Sequence, residues 1–257
     1  MTSLYSFCIL SADMGKVAKN LVSITKAAKY LGVSVATLRR WHNEGTFKAT
    51  FVSPGGHRYY ALSDLGRKTK GIFRVAQEWV SAEKSYPPEH DFYCSTSDRF
   101  KTRYERMAHE LDANPALQGI ASLISSSVGE IGNNSFDHNL GNWPDLPGVF
   151  FAHDPGKRVV VLADRGVGVF ATLHRIRPGL KTDEEALRVA FTEFITGRAP
   201  EHRGNGLKYV KDALAKSEAD LTFQSGDAVL EIRKGKPGFL MKKADVPIRG
   251  SLAFIQY

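Results

Sequence analysis

Cysteine is scarce. Among 257 residues there are two, Cys8 and Cys94, far apart and in no metal-ligand spacing, which argues against a disulfide framework or a zinc site and leaves both as free thiols. Long apolar runs are also missing: the longest, such as residues 159–163, fall far short of the roughly 18 residues that cross a bilayer, so no membrane span is expected. Residues 5–10 are apolar but have neither a basic region before them nor a small-residue cleavage site after them. A secretory signal is therefore not read, and the cytoplasm is the expected compartment. No Gly-x-x-x-x-Gly-Lys-Ser/Thr run occurs, which excludes a P-loop, and there is no internal repeat or low-complexity tract. What remains is ordinary globular usage, 42% hydrophobic and 24% charged, in a chain long enough for two compact units.

The net charge of +8 is unevenly spread. Residues 1–85 hold 13 Lys and Arg against 5 Asp and Glu, so the whole excess lies there, and the 22 basic and 22 acidic residues beyond cancel. A basic segment on a neutral body is the footprint of a module that meets a polyanion. Charge alone does not separate DNA from RNA or an acidic membrane.

Residues 1–20 show no clear period and read as a tail, with Met14 an alternative start. Ser23 can then cap a helix carrying Ala27, Ala28 and Leu31, Gly32 stops it, and Ser34 opens a second helix through Leu38 and Trp41. Gly45 ends that helix, residues 47–60 read as two short strands around the turn Ser53-Pro54-Gly55-Gly56, and a further helix starts at Ser63-Asp64. The run Ile24-Thr25-Lys26-Ala27-Ala28-Lys29-Tyr30-Leu31-Gly32-Val33-Ser34, followed by Thr37-Leu38-Arg39-Arg40-Trp41, Glu44-Gly45 and Pro54-Gly55-Gly56-His57-Arg58-Tyr59-Tyr60, resembles the MerR family's winged helix-turn-helix. The resemblance implies binding to double-stranded DNA, with Ser34, Thr37, Arg39, Arg40, His57, Arg58 and Tyr59 as candidate contacts. Arginine donors suit phosphates or guanine edges. Trp41 reads as a core anchor, and His57 either supports the turn or touches the DNA backbone. Members of that family dimerise through a long helix after the wing. Residues 64–83 allow only a short one, so a homodimer on a two-fold operator is carried as an analogy.

The expected organisation is a winged helix-turn-helix over residues 21–84, a linker and connecting helix over 85–114 marked by Pro87 and Pro88, and an ATP-binding domain over 115–257. Helices are expected over 100–111, 117–138, 184–194 and 206–216, and strands over 159–163, 221–223, 228–233 and 251–256. The fold class is α+β, the winged module being followed by a two-layer α/β sandwich.

Glu130, Asn134 and His138 recur every four residues in Glu130-Ile131-Gly132-Asn133-Asn134-Ser135-Phe136-Asp137-His138, which puts them on one helix face. The strand 159–163 runs into Asp164-Arg165-Gly166-Val167-Gly168, Gly204-Asn205-Gly206-Leu207 opens a later helix, and Gly250-Ser251 leads into the last strand. Taken in this order, the four motifs resemble the GHKL superfamily of ATPases, whose nucleotide-binding fold is also called the Bergerat fold. The resemblance implies ATP and Mg²⁺ as ligands, with Asn134 on the metal, Glu130 orienting or deprotonating an attacking water, and Asp164 accepting from the adenine amino group. It also implies backbone approach at Gly166 and Gly168, phosphate amides at Gly204, Asn205, Gly206 and Leu207, and support of the base from Ser251, where the family commonly has threonine. His138 contacts phosphate or satisfies a polar group, and residues 170–203, with Thr196-Gly197-Arg198, would form a lid. His109-Glu110-Leu111 followed by Pro115 looks like a phosphoacceptor box but lies too close to Asn134 for one, so no phosphohistidine role is read.

Three functions fit these readings. A transcription regulator would use ATP to modulate DNA or partner binding; an enzyme, an ATPase or a serine/threonine kinase resembling anti-sigma factors, would act on a small regulatory protein; or the ATP fold would be only a scaffold for a DNA-binding protein. The first is preferred.

Overall fold

The computed structural model describes residues 21–84, 86–194, 206–217 and 219–257, so the expected tail lies outside the described residues. The chain divides into two units, one comprising residues up to 71 with 154–157 and the other 72–153 with 158–257.

In the first unit, the Ser23 hydroxyl caps α1 (Ile24–Leu31) by accepting the Lys26 N–H at 3.4 Å, meeting one of the donors that a first helical turn leaves open. Gly32 ends the helix with φ 67°, a left-handed conformation that costs a residue without Cβ little, and the Val33 N–H returns to the Ala28 carbonyl at 3.0 Å. Ser34 caps α2 (Val35–Asn43) through the Thr37 N–H at 3.0 Å. Ala27, Ala28, Leu31, Leu38 and Trp41 are buried at helical spacing and hold the two helices together. Strands β1 (Leu21–Ser23) and β2 (Phe51–Val52) pair antiparallel on either side of β3 (Arg58–Ala61). Buried Tyr60 stacks on Phe47 at 5.3 Å between ring centroids and so ties this sheet to the segment after α2.

The second unit is a five-stranded sheet in the order β4 (Tyr93–Cys94), β5 (Val149–Asp154), β6 (Val159–Asp164), β8 (Leu240–Gln256), β7 (Asp220–Ile232). On one face lie α4 (Ser97–Asp112), α5 (Ala121–Asn139), α7 (Asp183–Thr192) and α8 (Gly206–Lys216), whose Phe100, Ile124, Phe191 and Leu214 share a core with Val160, Leu162, Phe223 and Ile255. The other face is not bare. From the second half of α3 (Leu62–Ser81), Phe73 meets Phe254 edge-on at 5.2 Å and Trp79 lies 6.3 Å from Phe150. Strands β5 and β6 are therefore buried at every position, which is why the Val159–Asp164 strand reads as a continuous apolar run rather than an alternating one.

Several expectations change. The two-layer sandwich acquires α3 as a further element. That helix has 20 residues, and its Ile72, Ala76, Trp79 and Val80 are buried within the chain. The segment 85–114, expected as linker and connecting helix, contributes β4 and α4 to the second unit's core through Cys94, Phe100, Met107 and Leu111. The separate strands expected over 221–223 and 228–233 are one strand, β7, whose register against β8 shifts around Gly226. Among the described residues no helix is long and apolar enough to cross a membrane.

His153 on β5 is buried, with Nε2 2.8 Å from the Tyr257 hydroxyl and Nδ1 3.8 Å from Glu110 Oε2. Burial, aided by the charge of Arg106, pushes its pKa down to about 4, so at neutral pH the ring is uncharged and the approach to Glu110 is not an ion pair. The folded value lies below the ordinary value of 6.5, and the unfolded chain takes the proton first as the pH falls. The neutral ring's contribution is thus complete above 6.5 and is lost on the way down to about 4, a change on the order of 3 kcal/mol. Denaturant unfolding of the wild type and His153→Gln across this window should show the wild type losing stability more steeply; parallel curves would exclude the neutral buried ring.

Candidate functional site

Helix α5 presents two adjacent stripes. Glu130 and Asn134 form one, half-buried, while Ser135 and Asn139, one residue further round, are 6% and 3% exposed. Gly206, the first residue of α8, stands against the first stripe: a Cβ there would lie 2.7 Å from Glu130 Oε2 and 3.0 Å from Asn134 Nδ2. From the second stripe, the Ser135 hydroxyl donates to Asp164 Oδ2 at 2.8 Å. Two consecutive residues of one helix therefore reach the start of α8 and the end of β6.

Asp164 is wholly enclosed. Its Oδ2 also accepts the Ser251 hydroxyl from β8, and its Oδ1 accepts the Gly166 N–H at 2.8 Å. Burial pushes its pKa up, and these donors only partly oppose the shift. The loop beyond is held from below, where the Asn139 carbonyl oxygen accepts the Val167 N–H at 2.8 Å while its amide donates to the Ser135 carbonyl at 2.7 Å. Gly168, at φ 80°, opens α6 (Gly168–His174); the Val169 N–H donates to the Ser225 hydroxyl at 3.0 Å, which in turn donates to the Gly250 carbonyl at 2.9 Å.

Arg165, between those motif residues, points away into the protein with no side-chain exposure. Its Nε and Nη2 donate to Asp145 Oδ2 at 3.0 and 2.6 Å, and its Nη1 donates to the carbonyls of Trp79 and Ala82 at 2.5 and 2.8 Å. Burial opposes the charge on Asp145, yet the hydrogen bonds from Arg165 hold its carboxyl below the ordinary value.

Glu130 and Asn134 thus offer a carboxylate and an amide oxygen, both hard donors, and neither side chain has a hydrogen-bond partner among the described residues. No group of three or more His, Cys, Asp or Glu able to hold a metal occurs among the described residues. Such a pair could hold only a hard cation that keeps most of its waters, since two oxygen donors leave most of a coordination shell unfilled.

On the first unit, Arg39 and Arg40 are exposed on α2, and His57 is exposed at the wing turn, its N–H donating to the Ser53 hydroxyl at 3.1 Å. Arg58 is half-buried and donates through Nη2 to Asn43 Oδ1 at 3.3 Å, fastening the wing to the end of α2. Tyr59 is half-buried beside Phe51, with ring centroids 6.0 Å apart. Residues 21–67 match the helix-turn-helix domain family. Residues 21–67 of the first unit are a helix-turn-helix domain. Such a domain points to DNA as its partner, and the localised positive charge agrees. No curated protein matches the chain.

Thr37 is 5% exposed, with its N–H bound by the Ser34 cap and its hydroxyl 2.9 Å from that of Ser34, so both its polar groups are engaged at the helix start. Ser34 itself is exposed, with its oxygen engaged in the cap. In the second unit, Glu130, Asn134, Asp164, Gly166, Gly168, Gly206 and Ser251 fall on connected elements, and Leu207 packs on the core. His138 is exposed. Gly204 and Asn205 lie outside the described residues. So does part of the expected lid, including Thr196-Gly197-Arg198; its described part holds α6 and α7 with a small core of Leu173, Leu180, Ala186 and Val189. The sequence reading missed Ser135, Asn139, Ser225 and Arg165. The i, i+4 pair Ser135 and Asn139 is visible in the sequence beside the Glu130 and Asn134 stripe, whereas no local pattern marks Arg165 within Asp164-Arg165-Gly166-Val167-Gly168.

The two glycines make opposite demands. A Cβ on Gly166 would lie 2.1 Å from Asn139 Nδ2, a carboxamide pinned by two hydrogen bonds, whereas one on Gly206 meets the ends of movable side chains. Gly166→Ala should therefore lower stability by about 1–3 kcal/mol and Gly206→Ala by clearly less. Urea midpoints measure both, and equal losses would contradict the packing described.

Proposed function

We propose that the protein is a DNA-binding regulator whose second unit binds Mg-ATP in the manner of the GHKL superfamily, and that nucleotide occupancy changes its affinity for duplex DNA. The helix-turn-helix domain supplies the DNA-binding half; its wing sequence is the part that resembles the MerR family. The observation that carries the nucleotide half is the meeting at α5, where Gly206 abuts Glu130 and Asn134 while the adjacent Ser135 grips Asp164. Motifs scattered over some 120 residues of sequence thus bear on one helix.

In this reading Asn134 holds the metal, and Glu130 orients a water if ATP is hydrolysed. Asp164, kept in place by Ser135, Gly166 and Ser251, accepts from the adenine amino group. Gly166 and Gly168 let the backbone come close to the nucleotide, and the N-terminus of α8 directs its amides at phosphate, where the helix dipole also favours negative charge. A switch requires that ATP prefer one of two states of the protein.

Asp164→Asn should weaken Mg-ATP binding by about 10-fold or more, since a hydrogen bond to a charged acceptor is worth about 1.5–3 kcal/mol. Its duplex affinity without nucleotide should be unaltered. Calorimetric titration of both proteins decides the matter: undiminished ATP affinity in the variant refutes the assignment, and no ATP binding by the wild type leaves the second unit a scaffold. On the other unit, Arg39→Ala and Arg40→Ala should each weaken duplex binding. Each should also reduce the slope of log affinity against log salt by about 0.9 for every phosphate no longer neutralised. Unchanged slopes would remove these arginines from the interface.

A further inference from the structure

We propose that Arg165 is a positioning residue that transmits nucleotide engagement at Asp164 to the end of helix α3. The proposal rests on the nucleotide reading above and assigns the route of its regulation. Three observations support it.

The first is where the guanidinium spends its donors. Burying a guanidinium is unfavourable unless its donors are met, and here they are met by one carboxylate, Asp145, and by the carbonyls of Trp79 and Ala82. Those carbonyls belong to the last turn of α3 and the residue just beyond it. A helix end leaves such carbonyls without intrahelical donors and carries the negative end of its dipole, so a buried cation there fixes the helix terminus.

The second is that Arg165 and Asp164 share their supports. They are consecutive at a strand end, so a shift of the Asp164 backbone moves the root of the clamp. Asp145 Oδ2 also lies 3.5 Å from Arg249 Nη1, and Arg249 precedes Gly250, where a Cβ would lie 2.2 Å from the Asp164 carbonyl oxygen. A ligand that hydrogen-bonds Asp164 therefore acts on the same small framework that holds Arg165.

The third is the helix itself. From Ser81, α3 runs without interruption back to Leu62, next to the last residue of the wing strand β3. Its clamped end is further secured by the Trp79 indole N–H, which donates to the Tyr86 carbonyl at 2.8 Å. A helix continuous in sequence from the end of β3 to the carbonyls that Arg165 binds is a covalent route along the chain between the two functions.

The test uses the full chain, Mg-ATP as ligand and a mixed-sequence duplex at low salt. Amide hydrogen exchange over residues 76–84 is followed in the wild type with and without Mg-ATP, and exchange there should change on binding. The variants are Arg165→Lys, which keeps the charge but loses the fork, and the pair Arg165→Met with Asp145→Leu, which removes both charges and so leaves none orphaned. Both should bind Mg-ATP within about threefold of the wild type, while the exchange response is lost and the ratio of duplex affinities with and without nucleotide falls to about one. Persistence of the response in a folded variant overturns the proposal. So does a wild type that binds ATP with no change over residues 76–84, an outcome that leaves the nucleotide reading intact. A wild type that binds no ATP overturns both.

Discussion

A carboxylate without solvent holds the second unit's central loop together. Taking Asp164 out of water is unfavourable, and the compensation comes from three separate places: the Ser135 hydroxyl on α5, the Gly166 N–H in the loop, and the Ser251 hydroxyl on β8. Each donor depends on an alignment. Asp164 pairs with Ser251 in the β6–β8 ladder, so a one-residue slip would turn Ser251 to the opposite face and withdraw its hydroxyl. Ser135 reaches Oδ2 only while α5 keeps its rotation against β6, which packing among Ile124, Val128, Val160 and Leu162 enforces. The geometry around Asp164 is thus an outcome of sheet register and helix packing together, and the loop 164–168 inherits its shape from them.

The parts of the fold that could be read directly are those whose signals are local. Ser23, Gly32 and Ser34 punctuate the helix-turn-helix within a dozen residues, and each makes the backbone bond that its chemistry suggests. The run at residues 159–163 announces a buried strand because it lacks alternation. Other features depend on partners far along the chain. Arg165 meets Trp79 across 86 residues of sequence, and nothing near position 165 signals that a motif's variable position will hold a fully buried arginine. Thr37 looked like a polar residue on a recognition helix, yet the Ser34 cap turns it inward. The charged surface of α4 disguised a helix whose Phe100, Met107 and Leu111 are core. The Glu130, Asn134 and His138 stripe was one residue out of phase with the buried pair Ser135 and Asn139, because periodicity identifies a face without saying which edge of it is covered.

Charge divides as function would require. The basic excess sits with the helix-turn-helix, where exposed Arg39 and Arg40 meet solvent, whereas the second unit is near neutral and keeps its most deeply buried charges for internal use. Arg165 with Asp145 is such a use. The pair's worth to folding is limited, because desolvating both groups consumes much of what their attraction returns. Its value lies in direction: a planar fork with bonds to two different elements allows few relative arrangements of the β6 end and the α3 end.

Coupling by such a device must run both ways. If nucleotide at Asp164 changes duplex affinity by some factor, duplex at the wing changes nucleotide affinity by the same factor, whatever the route between them. The route sets only how large that factor can be. A soft connection dissipates a small shift within the loop, while a connection of buried, fully bonded groups must either keep its arrangement or exchange it for another well-packed one. The surroundings of Arg165 are of the second kind, with carboxylate, helix carbonyls and strand end all held within hydrogen-bonding distance of one side chain. Under the proposed nucleotide reading, an adenine amino group that draws on Asp164 would meet a framework that resists partial movement, and its binding energy would go either into a discrete change at the α3 terminus or into none.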